Sequence, residues 1–273
     1  MNFSVCMSVY RGDNPRDFIA AVDSIYNRQT IRPSEIILVV DGPVSDEMEK
    51  AIGTACDMTG GAVKTVRFEK NQGHARARQA GLDNASNELC AIMDSDDIAV
   101  ADRFELQLKM FDDNPELTVA GGQIAEFTGC EENTVGRRIV PCSDSEIKSY
   151  LKSRCPMNLV TVMYKKRDVV SVGGFMDWYC EEDYYLWIRL ALQGYKFGNL
   201  PQNLVNVRVG NDMYQRRGGW RYFRSEAKLQ KYMLQHKIIS LPRYLYNVAG
   251  RFVVQVAMPN RLRGFVFQKL FRK

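Results

Sequence analysis

The sequence has few histidines and lacks the closely spaced cysteine pairs that bind structural metals. It contains only two histidines, and its seven cysteines include no CxxC pair. Zinc sites need four ligands, mostly Cys and His at short spacings, so a zinc site is not expected. An odd number of cysteines, most of them in apolar stretches, favours reduced thiols in a cytosolic compartment.

Long apolar runs are also missing. No stretch approaches the roughly 18 consecutive apolar residues that a membrane span requires. The first residues, NFSVCMSVY, are strand-like and lack the basic region and cleavage site of a secretory signal. With 273 residues, 45% hydrophobic and 25% charged, we expect a cytoplasmic globular protein of one large domain, or of one domain with an appended piece.

Acidic residues are absent from the last part of the chain. From Ala227 to Lys273 there are ten Lys/Arg and no Asp/Glu, whereas the residues before Ala227 hold 27 Lys/Arg and 32 Asp/Glu. The net charge of +5 therefore combines a body of −5 with a tail of +10. Such a tail is either a solvated basic face or a surface that meets phosphate groups. No nucleic-acid-binding module is recognisable, so no nucleic-acid partner is expected.

The first half alternates short apolar strands with helices. Strands are predicted over 3–9, 35–40, 62–68 and 89–93, with helices over 15–27, from Ser45 to Gly60-Gly61, and over 74–85. This alternation indicates βαβ units, hence a mainly parallel, Rossmann-like sheet with helices on both faces. The second half is mixed: we expect strands near 118–127, 136–140, 159–164, 196–199 and 203–208, an amphipathic helix ended by Gly194, and helices from Trp220 onward.

Polar residues follow each of the first four strands, where the ligands of parallel sheets bind. The fourth strand runs directly into Asp94-Ser95-Asp96-Asp97. In an extended chain Asp94 and Asp96 face the same side, and two carboxylates without a neighbouring His or Cys suit Mg²⁺ or Mn²⁺ shared with phosphates. The alternative is a polar turn in which Asp97 or Asp102 caps a helix.

Two other strand ends have similar features. Asp41-Gly42 is good turn chemistry, but an acid there can also accept hydrogen bonds from a base or a ribose. Asn71-Gln72-Gly73 opens a helix whose backbone N–H groups suit an anion, and Arg76 and Arg78 add positive charge beside it. Together, these strand ends predict a nucleotide-binding site.

The motifs SVYRGD, EIILVVDGP, NQGHARARQAG, MDSDD and EEDYYLWIRL occur in this order over residues 1 to about 210. As a set, they resemble family 2 GT-A glycosyltransferases, and within them the branch that builds bacterial capsule, exopolysaccharide and O-antigen units, including amylovoran-type transferases. The C-terminal run from YQRRGG to PNRLRGFVFQKLFR resembles the same branch. The resemblance implies an α/β GT-A fold with a C-terminal helical extension.

The resemblance also implies roles for individual residues. Asp96 would be the direct ligand of Mn²⁺ or Mg²⁺, and Asp94 would lie at the metal and the ribose. Asp183 would be the general base, with Glu182 in reserve, because an inverting transferase needs a carboxylate opposite the leaving nucleotide. The alternative is that Glu181, Glu182 and Asp183 only favour a helix N-terminus. The remaining donor-binding residues would be Val9, Tyr10, Asp41 (on uracil), Asn71, Gly73, Arg78 and Ser95.

Arg216 and Arg217, followed by Gly218-Gly219, suit a phosphate clamp on a closing loop, or else an exposed linker. Processive synthases of the family carry Gln-x-x-Arg-Trp and membrane spans. This sequence fits neither feature, which favours a single addition per acceptor. The basic, aromatic tail suits an interfacial helix on anionic lipid, or a helical cap on the catalytic domain. The family's acceptors are typically polyprenyl-diphosphate-linked sugars at the cytoplasmic leaflet, which favours the membrane.

We therefore predict a GT-A catalytic domain over 1–218, with a nucleotide-sugar half to about 115 and an acceptor half over 116–218. A basic helical extension would cover 219–273. The predicted activity is inverting, metal-dependent transfer from a nucleotide sugar, a UDP-sugar for preference, to a lipid-linked glycan in surface polysaccharide synthesis. The predicted location is peripheral, on the cytoplasmic face of the inner membrane. The alternatives are a sugar-phosphate nucleotidyltransferase, whose early glycine-rich loop is missing here, and a catalytically silent nucleotide-sugar-binding protein.

Overall fold

A computed structural model describes residues 1–210 and 218–258, and strands alternate with helices along its first half. The elements of this half are β1 (Phe3–Val9), α1 (Pro15–Ile25), β2 (Glu35–Val40), α2 (Asp46–Met58), β3 (Val63–Arg67), α3 (His74–Asn84), β4 (Leu89–Met93), β5 (Ile98–Ala99) and α4 (Arg103–Asp113). All four predicted strands and the helices between them are confirmed to within two residues at each end.

The second half contains longer strands and a run of helices. Its elements are β6 (Leu117–Phe127), β7 (Thr134–Arg138), α5 (Asp144–Leu151), a 3₁₀ turn (Leu159–Thr161), β8 (Met163–Lys165), α6 (Lys166–Ser171), α7 (Glu182–Leu192), β9 (Lys196–Arg208), α8 (Trp220–Gln235), α9 (Leu241–Phe252) and a π turn (Val253–Ala257). No helix among the described residues has both the length and the hydropathy of a membrane span.

Local sequence signals explain where several helices begin. Asn14 caps α1 with Pro15 in its first turn, and the Ser45 hydroxyl accepts a hydrogen bond from the Met48 N–H at the start of α2. Ser143 and Glu146 form a capping box at the start of α5. These contacts satisfy backbone N–H groups that have no partner within the helix.

The nine strands of the described residues form one sheet in the order β3-β2-β1-β4-β8-β6-β9-β5, with β7 paired to β6. Strands β1 to β4 are parallel, as are β6 and β9, whereas β8, β7 and β5 are antiparallel to their neighbours. Val9 is in register with Val40, and Met7 with Met93. The carboxyl ends of β1, β2 and β4 therefore lie at one edge, and the predicted mixed, mainly parallel sheet is confirmed.

Two expectations for the second half were wrong in detail. The strands predicted near 196–199 and 203–208 are one strand, β9, because its pairing with β6 continues past Pro201 through a shift of register between Gly121 and Gln123. The strand predicted over 159–164 starts as a 3₁₀ turn and becomes extended only at Met163. The irregular pairing of β9 with β6 accommodates Pro201, because a proline cannot donate a backbone hydrogen bond to a neighbouring strand.

Side chains on the two faces of the sheet form two hydrophobic clusters. One cluster joins alternate residues of β1 and β2 to α1, α2 and α4, with Phe18, Ile52 and Phe104 among its buried side chains. The other joins the opposite face to α3, α5 and α7, around the buried Trp187. Leu229 and Met233 of α8 belong to this second cluster, so the C-terminal helices pack on the same face as α7. The boundary predicted at residue 218 stays a prediction.

Candidate active site

The Asp41 carboxylate joins the end of β2 to the start of α3. It accepts hydrogen bonds from the backbone N–H of Gln72 at 2.6 Å, the backbone N–H of Gly73 at 3.0 Å and the Asn71 side-chain amide at 2.9 Å. Gly42 has φ +88°, and a Cβ there would lie 2.6 Å from the Asn71 nitrogen, so the two segments touch. The negative group bound by the backbone N–H groups before α3 is therefore the Asp41 carboxylate. Its predicted contact with uracil stays a prediction.

Asp13 links the end of β1 to the acidic turn after β4, and sequence reasoning did not assign it to the site. Its Oδ2 accepts hydrogen bonds from the Tyr10 backbone N–H at 3.0 Å and from the Ser95 hydroxyl at 2.9 Å. Burial raises the pKa of Asp13. The Tyr10 ring lies over Gly12, where a Cβ would be 2.5 Å from the phenol oxygen, and remains 39% exposed. Tyr10 therefore offers a partly open ring beside the strand ends, while Ser95 is turned towards Asp13.

The three acids after β4 have different environments. Residues 95–96 form a turn rather than the extended chain assumed for the facing of Asp94 and Asp96. Asp97 is buried, and its Oδ1 accepts a hydrogen bond from the Arg208 N–H at 2.8 Å. Asp102 occupies the N-cap position of α4 without a side-chain hydrogen bond. Neither Asp97 nor Asp102 therefore acts as the helix cap considered above.

The environment of the Asp96 carboxylate disfavours its ionised form. Its side chain reaches solvent, yet surrounding protein atoms desolvate it, and this effect together with the charges of Asp94 and Asp13 raises its pKa to about 6. An ionised carboxylate with this environment is stabilised by a cation. Asp94 has a side chain that is 45% exposed and also opens to the cleft.

Protein cations offset part of the acidic charge. Arg103 is completely buried, donates to the Ile92 carbonyl at 2.7 Å and is attracted by the charges of Asp94 and Asp97. Arg208 donates from Nε to the Asp96 carbonyl at 3.1 Å and pairs with Asp17 at 3.1 Å. Sequence reasoning missed both arginines. Arg103 was recognisable in principle, because it lies at the start of a helix a few residues after the acids. Arg208 was not, because only the pairing of β9 brings it next to them.

The candidate donor set for a divalent metal would consist of the carboxylate oxygens of Asp94 and Asp96. Within the described residues, no group of three or more His, Cys, Asp or Glu side chains comes together as a metal site. Mg²⁺ and Mn²⁺ bind hard oxygen ligands, and Mg²⁺ commonly uses one or two carboxylates completed by phosphate and water. The unfavourable charge at Asp96 and the chemistry of the two carboxylates fit such an ion.

The start of α7 brings the predicted catalytic acids to the same cleft. Glu182 forms an ion pair with Arg78 of α3, and the Arg78 Nη2 lies 3.7 Å from Asp94 Oδ1. Burial raises the pKa of Glu182, although the Arg78 charge acts in the opposite direction. Asp183 accepts a hydrogen bond from its neighbour's N–H at 2.7 Å through Oδ1, and the Cys155 thiol lies 3.6 Å from Oδ2. Asp183 has no ion-pair partner within the described ranges, so its carboxylate is the less constrained of these two acids.

The remaining predicted residues are distributed as follows. Val9 is buried as the last residue of β1, and only its backbone is placed to meet a ligand beyond the strand. Arg216 and Arg217 lie outside the described residues. The structure therefore brings Tyr10, Asp41, Arg78, Asp96 and Asp183 to one edge of the sheet.

This arrangement is that of the GT-A fold, and solved structures of that fold resemble it. Staphylococcus aureus TarS 1–349 in complex with UDP-GlcNAc has a TM-score of 0.67 and 16% identity, covering 93% of this chain and 73% of that one. A mannosyltransferase from Pyrobaculum calidifontis, in complex with GDP-Man and Mn²⁺, has a TM-score of 0.60 and 15% identity, covering 98% and 75%.

Residues 4–177 match the family model described as glycosyl transferase family 2, and the chain belongs to this family. The amylovoran biosynthesis glycosyltransferase AmsE of Erwinia amylovora is 33% identical over 98% of both chains. An Escherichia coli UDP-Gal:alpha-D-GlcNAc-diphosphoundecaprenol beta-1,3-galactosyltransferase is 33% identical over 99% of this chain and 97% of its own. The protein is thus a glycosyltransferase that uses a nucleotide sugar, as predicted, and the nucleotidyltransferase alternative is not supported.

Proposed function

We propose that the protein is an inverting, divalent-metal-dependent glycosyltransferase that moves a sugar from a UDP-sugar to a polyprenyl-diphosphate-linked glycan. The observation that carries this proposal is the contact of Arg78 with both Glu182 and Asp94. This contact supports the proposal because it links the turn after β4, which holds the candidate metal ligands, to the start of α7, which holds the candidate base. In the proposed complex, the donor binds at the acidic turn after β4 and its anomeric carbon faces Asp183.

Asp183 is the general base of this mechanism. Its carboxylate takes the proton of the acceptor hydroxyl as that oxygen attacks the anomeric carbon from the side opposite the nucleotide. In-line attack of this kind inverts the anomeric configuration. Arg78 keeps Glu182 in an ion pair, so the neighbouring Glu182 carboxylate is held away from the acceptor proton. Glu182 orients Arg78, whose guanidinium faces the acidic end of the donor site.

Asp96 and Asp94 would hold Mn²⁺ or Mg²⁺, which when bound supplies positive charge to the diphosphate leaving group. The residues of the chain itself provide the rest of the donor site. Tyr10 offers its partly exposed ring to the base, and the segment fixed by Asp41 presents Asn71 and Gly73 beside it. Three of the roughly four lone-pair sites of the Asp41 carboxylate are used within the chain, and the remaining one, on Oδ1, is proposed to accept a hydrogen bond from uracil. Arg216 and Arg217 are proposed as further phosphate contacts from sequence alone.

A UDP-sugar and a lipid-linked acceptor are favoured by the relatives. The E. coli relative, matched along almost its whole length, is named for UDP-Gal and a diphosphoundecaprenol-linked acceptor. The AmsE relative is named for the biosynthesis of a polysaccharide. We infer that this chain acts at the same stage, adding one sugar to a growing unit of a bacterial surface polysaccharide.

The proposed acceptor and the composition of α9 support a peripheral position on the cytoplasmic face of the inner membrane. Leu241, Leu245 and Tyr246 expose 56%, 57% and 74% of their surface on this helix, and Arg243 lies beside the Tyr246 ring. The helix contains no acidic residue. Apolar and basic side chains on one exposed helix suit an anionic lipid surface.

The decisive experiment combines binding with transfer. A thermal-shift screen of UDP, UDP-galactose, UDP-N-acetylglucosamine and GDP-mannose, each with and without MnCl₂, should show stabilisation by UDP ligands that depends on the metal. Transfer from the best donor to a synthetic GlcNAc-diphospho-lipid should then give a product whose new linkage has the opposite anomeric configuration by NMR. Retention of configuration, or binding of UDP that is indifferent to MnCl₂ and EDTA, would remove the corresponding part of the proposal.

A further inference from the structure

The segment 151–157, which runs from the last residue of α5 towards the 3₁₀ turn, contacts Asp183. Its Cys155 thiol is the group that lies 3.6 Å from the Asp183 carboxylate. The segment has little regular structure of its own, so its backbone carbonyls need partners from elsewhere. Side chains from other parts of the chain donate to these carbonyls. Asn247 donates to the Lys152 carbonyl at 2.9 Å and Arg251 to the Ser153 carbonyl at 2.8 Å. Arg138 donates to the carbonyls of Cys155 at 2.7 Å and Met157 at 3.2 Å, and Asn199 donates to that of Pro156 at 3.2 Å.

Two of these side chains come from α9, far along the chain from α5. The Asn247 amide is buried and uses its two hydrogens on the Lys152 carbonyl and on Gln230 Oε1 of α8, at 2.9 and 2.8 Å. Both bonds are directional, and the amide has no other N–H to offer. Asn247 therefore fixes the distance between α8, α9 and the start of the segment.

Arg251 connects the same segment to residues around the N-terminus of α7. Its guanidinium donates to the Ser153 carbonyl at 2.8 Å and forms an ion pair with Glu226 of α8 at 3.1 Å, and both side chains are nearly buried. Glu181, the N-cap residue of α7, is buried within reach of these charges. Burial and the charges of Glu226 and Asp183 raise its pKa, whereas a hydrogen bond with Tyr222 and the Arg251 charge act in the opposite direction. Arg251 is thus a shared cation for the acids around the start of α7.

We propose that Arg251 and Asn247 are positioning residues for Asp183, and that α9 is a structural part of the acceptor side of the active site. They hold the backbone of residues 152–153, which sets Cys155 against Asp183. This inference rests on the proposed function for the role of Asp183, and the contacts themselves are independent of it. It assigns the C-terminal helices a catalytic task in addition to any contact with lipid.

Thiol reactivity provides a test that does not need the substrate. Alkylation of the full chain by N-ethylmaleimide, mapped by peptide mass spectrometry, reports each cysteine separately. Arg251→Gln and Asn247→Ala should release the segment and raise the alkylation rate of Cys155 at least tenfold. Arg243→Gln is the matched control, because Arg243 is exposed on the same helix, away from the segment. Its Cys155 rate should equal that of the wild type.

Four other cysteines serve as internal references. Cys130 and Cys180 are exposed and should react rapidly in every variant, whereas Cys6 and Cys90 are buried and stay protected while the fold is intact. If Arg251→Gln also makes Cys6 and Cys90 reactive, the variant has lost its fold. The milder Asn247→Ser is then tested for the same increase in the Cys155 alkylation rate. An unchanged Cys155 rate in folded variants of both residues would overturn the inference.

The catalytic consequence is measured separately. In Arg251→Gln, calorimetric affinity for UDP with MnCl₂ should remain within twofold of wild type, while kcat for transfer falls at least tenfold and Arg251→Lys restores part of it. Equal losses of UDP affinity and kcat would indicate general damage and contradict a positioning role. If the wild type transfers no sugar, the proposed function fails, whereas the thiol result still decides whether α9 holds the segment.

Discussion

The Arg78 guanidinium forms an ion pair with Glu182 and lies 3.7 Å from Asp94, so one side chain of α3 contacts acids from two distant parts of the chain. Arg78 and Glu182 are both largely buried, with side chains 15% and 13% exposed. Breaking such a pair leaves one charge buried without compensation, which is more costly than loss of a surface pair. This contact distinguishes the roles of the adjacent acids Glu182 and Asp183.

Asp183→Asn should abolish transfer while donor binding is retained. The amide is nearly isosteric but cannot accept the acceptor's proton, so kcat should fall at least a hundredfold, the lower range for loss of a general base. Calorimetric affinity for UDP with MnCl₂ should stay within twofold of wild type. Glu182→Gln is the matched variant: it should lower UDP affinity through Arg78 and reduce kcat less than Asp183→Asn. The opposite ranking of the two kcat values would transfer the base role to Glu182.

Asp96→Asn should stabilise the metal-free protein at neutral pH. The folded-state pKa of Asp96, about 6, lies above its ordinary value of 3.8. The protonated form therefore fits the fold best, and stability linked to this group is present below pH 4 and lost as the pH rises through 6. In EDTA, Asp96→Asn should raise Tm at pH 7.5 by more than it does at pH 4.5. It should also abolish the stabilisation by UDP with MnCl₂.

A control separates this effect from a general change in surface charge. Asp57→Asn removes an acid from the exposed side of α2, so its small effect on Tm should be similar at both pH values. Equal Tm changes for Asp96→Asn at pH 4.5 and 7.5 would contradict the assignment of a strained carboxylate at this position. Functional residues that destabilise the free protein are common at ligand sites.

Much of the fold followed from local patterns, and much of the site followed from where strands end. Ser45, Pro15 and the Ser143–Glu146 box mark helix starts through contacts within a few residues, which a single sequence reveals. The grouping of Asp41 and Asp94 was also predictable, because each follows a strand and the carboxyl ends of parallel strands meet at one edge of the sheet.

Long-range partners were not predictable from one sequence. Arg208 contacts the Asp96 carbonyl across 112 positions of the chain, and Arg78 pairs with Glu182 across 104. Such contacts depend on the order of strands in the sheet, which local propensity does not encode. The same reason explains why the internal use of Asp41 as the anion before α3 was not anticipated, although both of its segments had been recognised.

Asp41→Ala should destabilise the fold as well as the donor site. It removes one acceptor of three hydrogen bonds, two of them from backbone N–H groups, and hydrogen bonds to charged groups contribute about 1.5–3 kcal/mol each before relaxation. We expect the free energy of unfolding to fall by about 2–4 kcal/mol, measured by urea denaturation.

Gly42→Ala is the companion variant, because its Cβ would collide with the Asn71 nitrogen while the Asp41 carboxylate is left intact. If Asp41 contacts uracil, Asp41→Asn should lose more UDP affinity than Gly42→Ala at comparable stability. Equal losses of UDP affinity in the two variants would mean that Asp41 only holds the segment 71–73 and does not contact uracil.

Membrane association should depend on residues after α9 and on the exposed side of that helix. A truncation at residue 240 would also remove Asn247 and Arg251, which hold the segment 151–157. The informative truncation therefore ends at Met258 and deletes five Lys/Arg, each worth about 1 kcal/mol at an anionic surface. In flotation with phosphatidylglycerol-containing liposomes, this variant and Leu245→Ser/Tyr246→Ser should each bind less than wild type, whereas Val135→Ser, an exposed apolar position on β7, should bind normally. If both variants still fold and float as the wild type does, the basic tail and α9 are not the lipid-binding surface, and the protein must meet its acceptor through another face.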